Sequence, residues 1–150
     1  MAFTPADPEY ERRTRASFAR QGIMAHLGAT IDKVEPGRVE ISVAFGPHLS
    51  QQHGFFHAGV LSTLADSAGG YAGFTLFPPG AGVLTVEYKM NLLAAADGER
   101  VVAVGEVIRS GRTLTVCRLD AYVDKGGKRT HCATGTQTLM TLVGRAGIVD

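Results

Sequence analysis

One carboxylate stands out in this chain of 150 residues. Asp66 is the only formally charged side chain between His57 and Phe77, in the run HAGVLSTLADSAGGYAGFTLF. Holding a carboxylate among small and apolar residues costs free energy unless the group is paired, reaches a solvated cleft or is put to use. Two readings are open for it: a hydrogen bond to nearby backbone or to Ser62 or Ser67, or a working base. His57-Ala58-Gly59 opens the same segment. Free N–H groups and the positive dipole end of a helix start suit a developing oxyanion, and Gly59 would allow close approach. A histidine that merely caps the helix is the other reading.

Other candidate chemistries are weaker. His53 and His57 are four apart, but Gly54-Phe55-Phe56 between them spoils a helical pair, and no carboxylate or cysteine is close in sequence, so no metal site is expected. His26, His48 and His131 belong to no constellation. Ser62 and Ser67 lack a Gly-x-Ser-x-Gly elbow. No phosphate loop or dinucleotide fingerprint occurs, and no cofactor is expected. Arg109, Arg112, Lys125, Lys128 and Arg129 gather near strand turns. They are either solvated turn residues or contacts for a phosphorylated ligand.

The elements that must position these groups follow from pattern. Asp7-Pro8 suits a helix start, and the helix is expected to run to Gln21, with Gly22 as its stop and Arg12, Arg13, Arg15 and Arg20 forming a solvated face. Leu27 to Val34 and Arg38 to Phe45 flank the turn Glu35-Pro36-Gly37, a hairpin. Gly46 to Phe56 reads as loop. His57 to Phe77 has no polar stripe, so it is a buried helix, ended by Pro78-Pro79-Gly80. Asp66, four glycines and the lack of flanking basic residues argue against a membrane span. After Gly82 come four strands: one alternating through Val86, Tyr88, Met90 and Leu92, then Val101 to Arg109, Thr113 to Asp124, and Arg129 to Leu142, joined as an antiparallel meander. Gly144 to Asp150 reads as a mobile tail. The reading is one α+β domain over 1–150, with residues 1–23 as a helical extension. A helix apolar all round needs a curled sheet around it and a second subunit as a lid.

Composition agrees. Hydrophobic residues make up 45% and charged ones 19%, which suits one folded domain rather than a disordered chain. The net charge of +1 does not favour a nucleic-acid binder that works through bulk charge. Two cysteines, Cys117 and Cys132, cannot build a disulfide framework and read as reduced thiols in a cytoplasmic protein. The start MAFTPADPEYERRTR has no apolar core of a secretory signal.

Residues 51–72, QQHGFFHAGVLSTLADSAGGYA, resemble the motif of hotdog-fold acyl-CoA thioesterases of the phenylacetate-pathway (PaaI-like) type: Asn-x-x-Gly-x-x-His-Gly-Gly, then an acid in a Leu-Ala-Asp-like run. His57 matches the histidine, Gly59 the second glycine and Asp66 the acid. VLTVEYKMNLLAAADG, VIRSGRTLTVCRLDAYVDKGGK and HCATGTQTLM are similar to the family's last four strands, so the likeness spans about residues 24–142. It implies a hotdog fold, a long helix wrapped by a curled antiparallel sheet, with dimers often paired into tetramers and acyl-CoA bound between protomers. It implies that Asp66 activates water or attacks directly, that Ala58 N–H, with Gly59 N–H, polarises the thioester carbonyl, and that Thr85 supplies a hydroxyl that orients the water. Two departures stand out. Gln51 replaces the usual asparagine but keeps its amide, and Ala58 replaces the first glycine but keeps its N–H.

The resemblance and the residues together lead to an expected activity: hydrolysis of an aryl or short- to medium-chain acyl-CoA to a carboxylic acid and CoA. A thioester is reactive enough for one base and one oxyanion donor to suffice. The alternatives are a non-catalytic acyl-CoA sensor, or a dehydratase pairing His57 with Asp66. Phe55, Phe56, Tyr71, Phe74 and Phe77 are either core or the wall of an acyl pocket.

Overall fold

A computed structural model describes residues 3–148; Met1, Ala2, Val149 and Asp150 lie outside the described residues, and with them the start of the expected extension and the end of the expected tail. The chain forms α1 (Tyr10–Phe18), α2 (Gly22–Leu27), β1 (Thr30–Glu35), β2 (Arg38–Ala44), a 3-10 turn at Pro47–Leu49, α3 (Ala58–Phe74), β3 (Gly82–Leu92), β4 (Arg100–Ser110), β5 (Leu114–Lys125) and β6 (Lys128–Leu142). All strand pairs are antiparallel, in the order β1-β2-β4-β5-β6-β3. This is the hotdog arrangement: α3 lies in the hollow of one six-stranded sheet.

The alternation of β5 shows how the sheet grips the helix. Thr115, Cys117, Leu119, Ala121 and Val123 are buried, while Arg118, Asp120 and Tyr122 lie on the outer face with Glu106 and Arg129. Gly105 of β4 marks the closest approach. A Cβ there would sit 2.3 Å from the Ala68 carbonyl carbon and the Gly69 nitrogen of α3, so only glycine lets this strand touch the helix backbone.

Three expectations are corrected. Gly22 does not end the N-terminal helical region; it opens α2 after a break in which Gln21 takes up extended backbone as the cap residue. The arginines of α1 are not one solvated face. Arg13 is half sunk: its guanidinium donates to the carbonyls of Phe77 (2.8 Å), Pro78 (2.8 Å) and Phe74 (3.3 Å), pairs with Asp7 at 3.3 Å and covers the Phe74 ring at 4.4 Å. It thereby satisfies the carbonyls at the C-terminal end of α3, where a cation also suits the dipole. Finally, the last four strands are not a simple meander. β4, β5 and β6 are, but β3 pairs with β6 and β2 with β4, because residues 93–99 carry the chain across the end of the sheet instead of turning it back tightly.

β3 is consequently an edge strand, and an unusual one. Leu84, Val86, Tyr88 and Leu92 are 46–57% exposed, so an apolar row and a free hydrogen-bonding edge face outward together. Edge strands are ordinarily short, charged or covered. The helix tells the same story. Its residues from Ser67 to Phe74 are buried, but Gly59, Ser62, Thr63 and Asp66 form a partly open stripe at helical spacing, on a face its own sheet leaves uncovered. None of the described helices is long and apolar enough to cross a membrane.

Candidate active site

Asp66 lies near the middle of α3, where the helix faces β3 and β6. Its Oδ1 receives two hydrogen bonds: Thr85 Oγ1 donates at 2.8 Å and Gln137 Nε2 at 2.6 Å. Gln137 Nε2 also lies 3.0 Å from the Asp66 carbonyl oxygen and 3.1 Å from Thr85 Oγ1, so one amide braces both partners. Oδ2 makes no hydrogen bond with any described residue, and Asp66 lines a pocket of about 320 Å³. The carboxylate is thus held by one oxygen and open at the other. Neither Ser62 nor Ser67 is its partner; Ser67 donates to Gln21 Oε1 at 3.1 Å.

Gln137 went unnoticed in the sequence. It is 1% exposed, on the inward phase of β6 with Ala133 and Leu139, and this polar residue in an apolar register was the one available signal. Room for it comes from Gly69, where a Cβ would sit 2.0 Å from Gln137 Oε1. That oxygen is buried with no hydrogen-bond partner among the described residues. An orphan acceptor carries a free-energy cost, accepted here on the side of the amide away from Asp66.

The second half of the expected site lies elsewhere in the protomer. His57 is the cap of α3: its Nδ1 accepts the Gly59 N–H at 2.8 Å. Gly59 N–H is therefore engaged, while Ala58 N–H, at the first helical position, has no partner among the described residues. Gln51 accepts the backbone N–H groups of His53 and, at 3.4 Å, Phe55 through Oε1, and its Nε2 donates to no described residue. Gln51 and Ala58 share a pocket of about 180 Å³ with Phe55, Phe56 and Leu92. Asp66 and Thr85 do not line it. Tyr71, Phe74 and Phe77 are core residues stacked edge to face.

The cations also divide. Arg109 and Arg112 stand where β4 turns into β5, level with Thr85 through the pairs Thr85–Leu139 and Leu139–Thr115. Lys125, Lys128 and Arg129 stand at the other end of β5, roughly 35 Å away for a strand of this length. There Lys125 pairs with Asp97 (2.7 Å), beside the Gln51 pocket, and Arg129 is held by both oxygens of Asp124 at 2.7 and 2.8 Å. They do not form one patch within a protomer. Burial pushes the Cys117 thiol up to about 12 and the Cys132 thiol up to about 11, so neither is a nucleophile at neutral pH.

Comparison with known proteins identifies the family. The profile of the thioesterase superfamily matches residues 53–130, just over half of the chain. A crystal structure of a thioesterase family protein from Silicibacter pomeroyi superposes with a TM-score of 0.88 at 52% identity, covering 90% of this chain and 99% of that one. A candidate esterase of Saccharolobus solfataricus is 30% identical over 119 residues, 79% of this chain and 77% of its own. The proofreading thioesterase EntH of Klebsiella pneumoniae is 25% identical over 117 residues, 78% and 85% of the two chains. The chain belongs to the thioesterase superfamily, and its enzymatic class is thioester hydrolase.

Proposed function

We propose that the protein hydrolyses acyl-CoA thioesters in a site shared by two protomers. The observation that carries this is the half-engaged carboxylate: Thr85 and Gln137 fix Asp66 through Oδ1, leaving Oδ2 to take a proton from water in the adjoining pocket. The Ala58 N–H and the Gln51 amide polarise the thioester carbonyl, with His57 holding Gly59 and so the shape of the helix start. In one protomer these two halves line separate pockets. The exposed edge of β3 supplies the remedy. Thr85, early in β3, stands opposite Asp66, while Leu92 at the close of β3 lines the pocket of Ala58, so antiparallel pairing of two β3 strands about a two-fold axis would lay Thr85 of each protomer near the close of its partner's β3. The same axis carries Arg109 and Arg112 of one subunit toward the Lys125–Lys128 turn of the other, where cations from both ends can share the CoA phosphates. Pairing of such dimers would complete a tetramer.

The test is thiol release from a panel of acyl-CoAs by the wild type and by Asp66→Asn. Asparagine keeps the shape but cannot accept the proton, so turnover should fall by roughly 10²–10⁴-fold in a folded protein. A folded variant that hydrolyses its best substrate at the normal rate makes Asp66 structural and removes this mechanism.

A further inference from the structure

The outer face of the sheet carries a row of alternating charge that stops at β3. Glu35, Arg38, Glu106 and Arg118 follow one another across β1, β2, β4 and β5, with contacts of 3.9 Å, 3.8 Å and 2.7 Å between neighbours. Thr136 of β6 stands beside Arg118, and Lys89 of β3 beside Thr136, so Lys89 continues this row on the same face. Glu87, opposite Thr138, is the next outward residue of β3. Neither Glu87 nor Lys89 forms an ion pair with any described residue. Tyr88 between them takes the inner face, because it stands opposite Gln137, which turns inward to Asp66. Met90 and Leu92 alternate onto that inner face too, and Val83, before the bulge between Thr85 and Glu87, lines the Asp66 pocket there.

We propose that two copies of the chain join their β3 strands antiparallel in one register, with the two-fold axis at Tyr88. This rests on the shared-site reading above and names the contacts that build it. Residues opposite each other across such an axis face the same way, so the axis passes through a residue and not between two. At Glu87 it would set that carboxylate against its own copy, and at Lys89 it would oppose two ammonium groups; like charges directly opposite destabilise a sheet. Farther along in either direction neither charge meets an opposite one. At Tyr88 each Glu87 meets the partner's Lys89, and the charged row of one sheet runs on into the next. The inner face agrees. The bulge inserts one residue in β3, so Thr85 comes opposite the partner's Met90 and Val83 opposite the partner's Leu92. Without that extra residue Val83 would overrun Leu92, the last of the strand. Val83 lines the pocket of Asp66, and Leu92 that of Gln51 and Ala58. One register therefore neutralises the charges outside and joins the two half-pockets inside. Burial of Leu84, Val86, Tyr88 and Leu92 supplies most of the affinity, and the charges choose the register, since an exposed ion pair by itself contributes little.

Cysteine placement and charge reversal test the register. Across an antiparallel pair, opposite Cα atoms are about 4.5–5.5 Å apart, within reach of a disulfide. With diamide as oxidant, Tyr88→Cys should cross-link to its own copy. Glu87→Cys and Lys89→Cys should not do so singly, their copies being roughly 8 Å apart, but should cross-link to each other after refolding as an equal mixture. The native cysteines are buried and stay out of the reaction. Glu87→Lys and Lys89→Glu each place like charges opposite twice per dimer and should weaken dimerisation about tenfold or more by sedimentation. Mixed together they should pair with each other in preference to themselves. Self-cross-linking at 87 or 89 instead of 88, a monomer at assay concentration, or Glu87→Lys dimerising as tightly as the wild type overturns this register. Cross-linking at 88 with no thiol release from any acyl-CoA keeps the register and sinks the proposed activity, whereas thiol release without it does the reverse.

Discussion

Replacing Gln137 with leucine removes the amide that ties Asp66 to Thr85 while leaving both of them in place. The Nε2 group donates to a carboxylate oxygen at 2.6 Å and lies 3.1 Å from the Thr85 hydroxyl. A hydrogen bond to a charged group is worth about 1.5–3 kcal/mol. If most of that holds the carboxylate in its working orientation, kcat should drop about 10- to 100-fold. Stability should change little, by about 1 kcal/mol or less. Leucine also deletes Oε1, a buried acceptor with no partner among the described residues, and that removal offsets part of the lost bond. Gln137 does not line the pocket, so KM should move less than about threefold. Steady-state thiol release on Gln137→Leu, Asp66→Asn and the double variant completes the assay. With Asp66 already neutral there is no carboxylate left to orient, so the second substitution should then cost under about threefold. Equal losses in both backgrounds, or a raised KM at constant kcat, would show that Gln137 acts on something other than Asp66.

Other outcomes can be stated more briefly. Gly105→Ala should lose about 2–4 kcal/mol or fail to fold, because its new methyl meets helix backbone that cannot step aside; a urea midpoint measures this, with Gly22→Ala, which meets nothing within 4 Å, as the neutral control. The raised thiols give a pH dependence of defined sign. The folded chain keeps Cys117 protonated up to about 12, whereas the unfolded chain releases that proton near 9.0, so this thiol subtracts stability progressively as pH rises above 9. Denaturation midpoints should fall less between pH 8 and pH 10.5 in Cys117→Ala than in the wild type. For the shared site, Gln51→Ala and Asp66→Ala proteins, each nearly inactive, should regain about a quarter of wild-type activity when unfolded and refolded as an equal mixture, since random pairing gives half heterodimers with one intact site each. A mixture no more active than its parents, with subunit exchange verified by mass, rejects the shared site and leaves the hydrolase assignment untouched.

Much of this molecule is written in local pattern. The apolar run around Asp66, the Pro36–Gly37 turn and the alternation of β5 each announce their element, because burial on one face or all faces leaves a period behind. What escaped depends on partners far apart in the chain. Gln137 meets Asp66 across 71 residues, and Arg13 reaches Pro78 across 65, distances at which sequence spacing carries no geometry. The pairing of β3 with β6 was hidden for the same reason, although seven residues between Leu92 and Arg100 are more than a tight hairpin uses. At Gly22 a true signal was read with the wrong polarity, as an end where Gln21 starts another helix.

The contact at Gly105 has a consequence for how such a protein can diverge. Where two elements are separated by side chains, each change of volume in the core shifts one against the other. Here a strand and a helix meet backbone to backbone at Ala68 and Gly69, two and three residues past Asp66, with no side chain between them to vary. That contact is a mechanical stop. Its thickness is set by the polypeptide itself and is the same whatever residues surround it. The rest of the core is free to drift through changes of size while the carboxylate keeps its distance from the sheet that braces it. A protein built on such a datum can replace most of its sequence and still hold one aspartate in register.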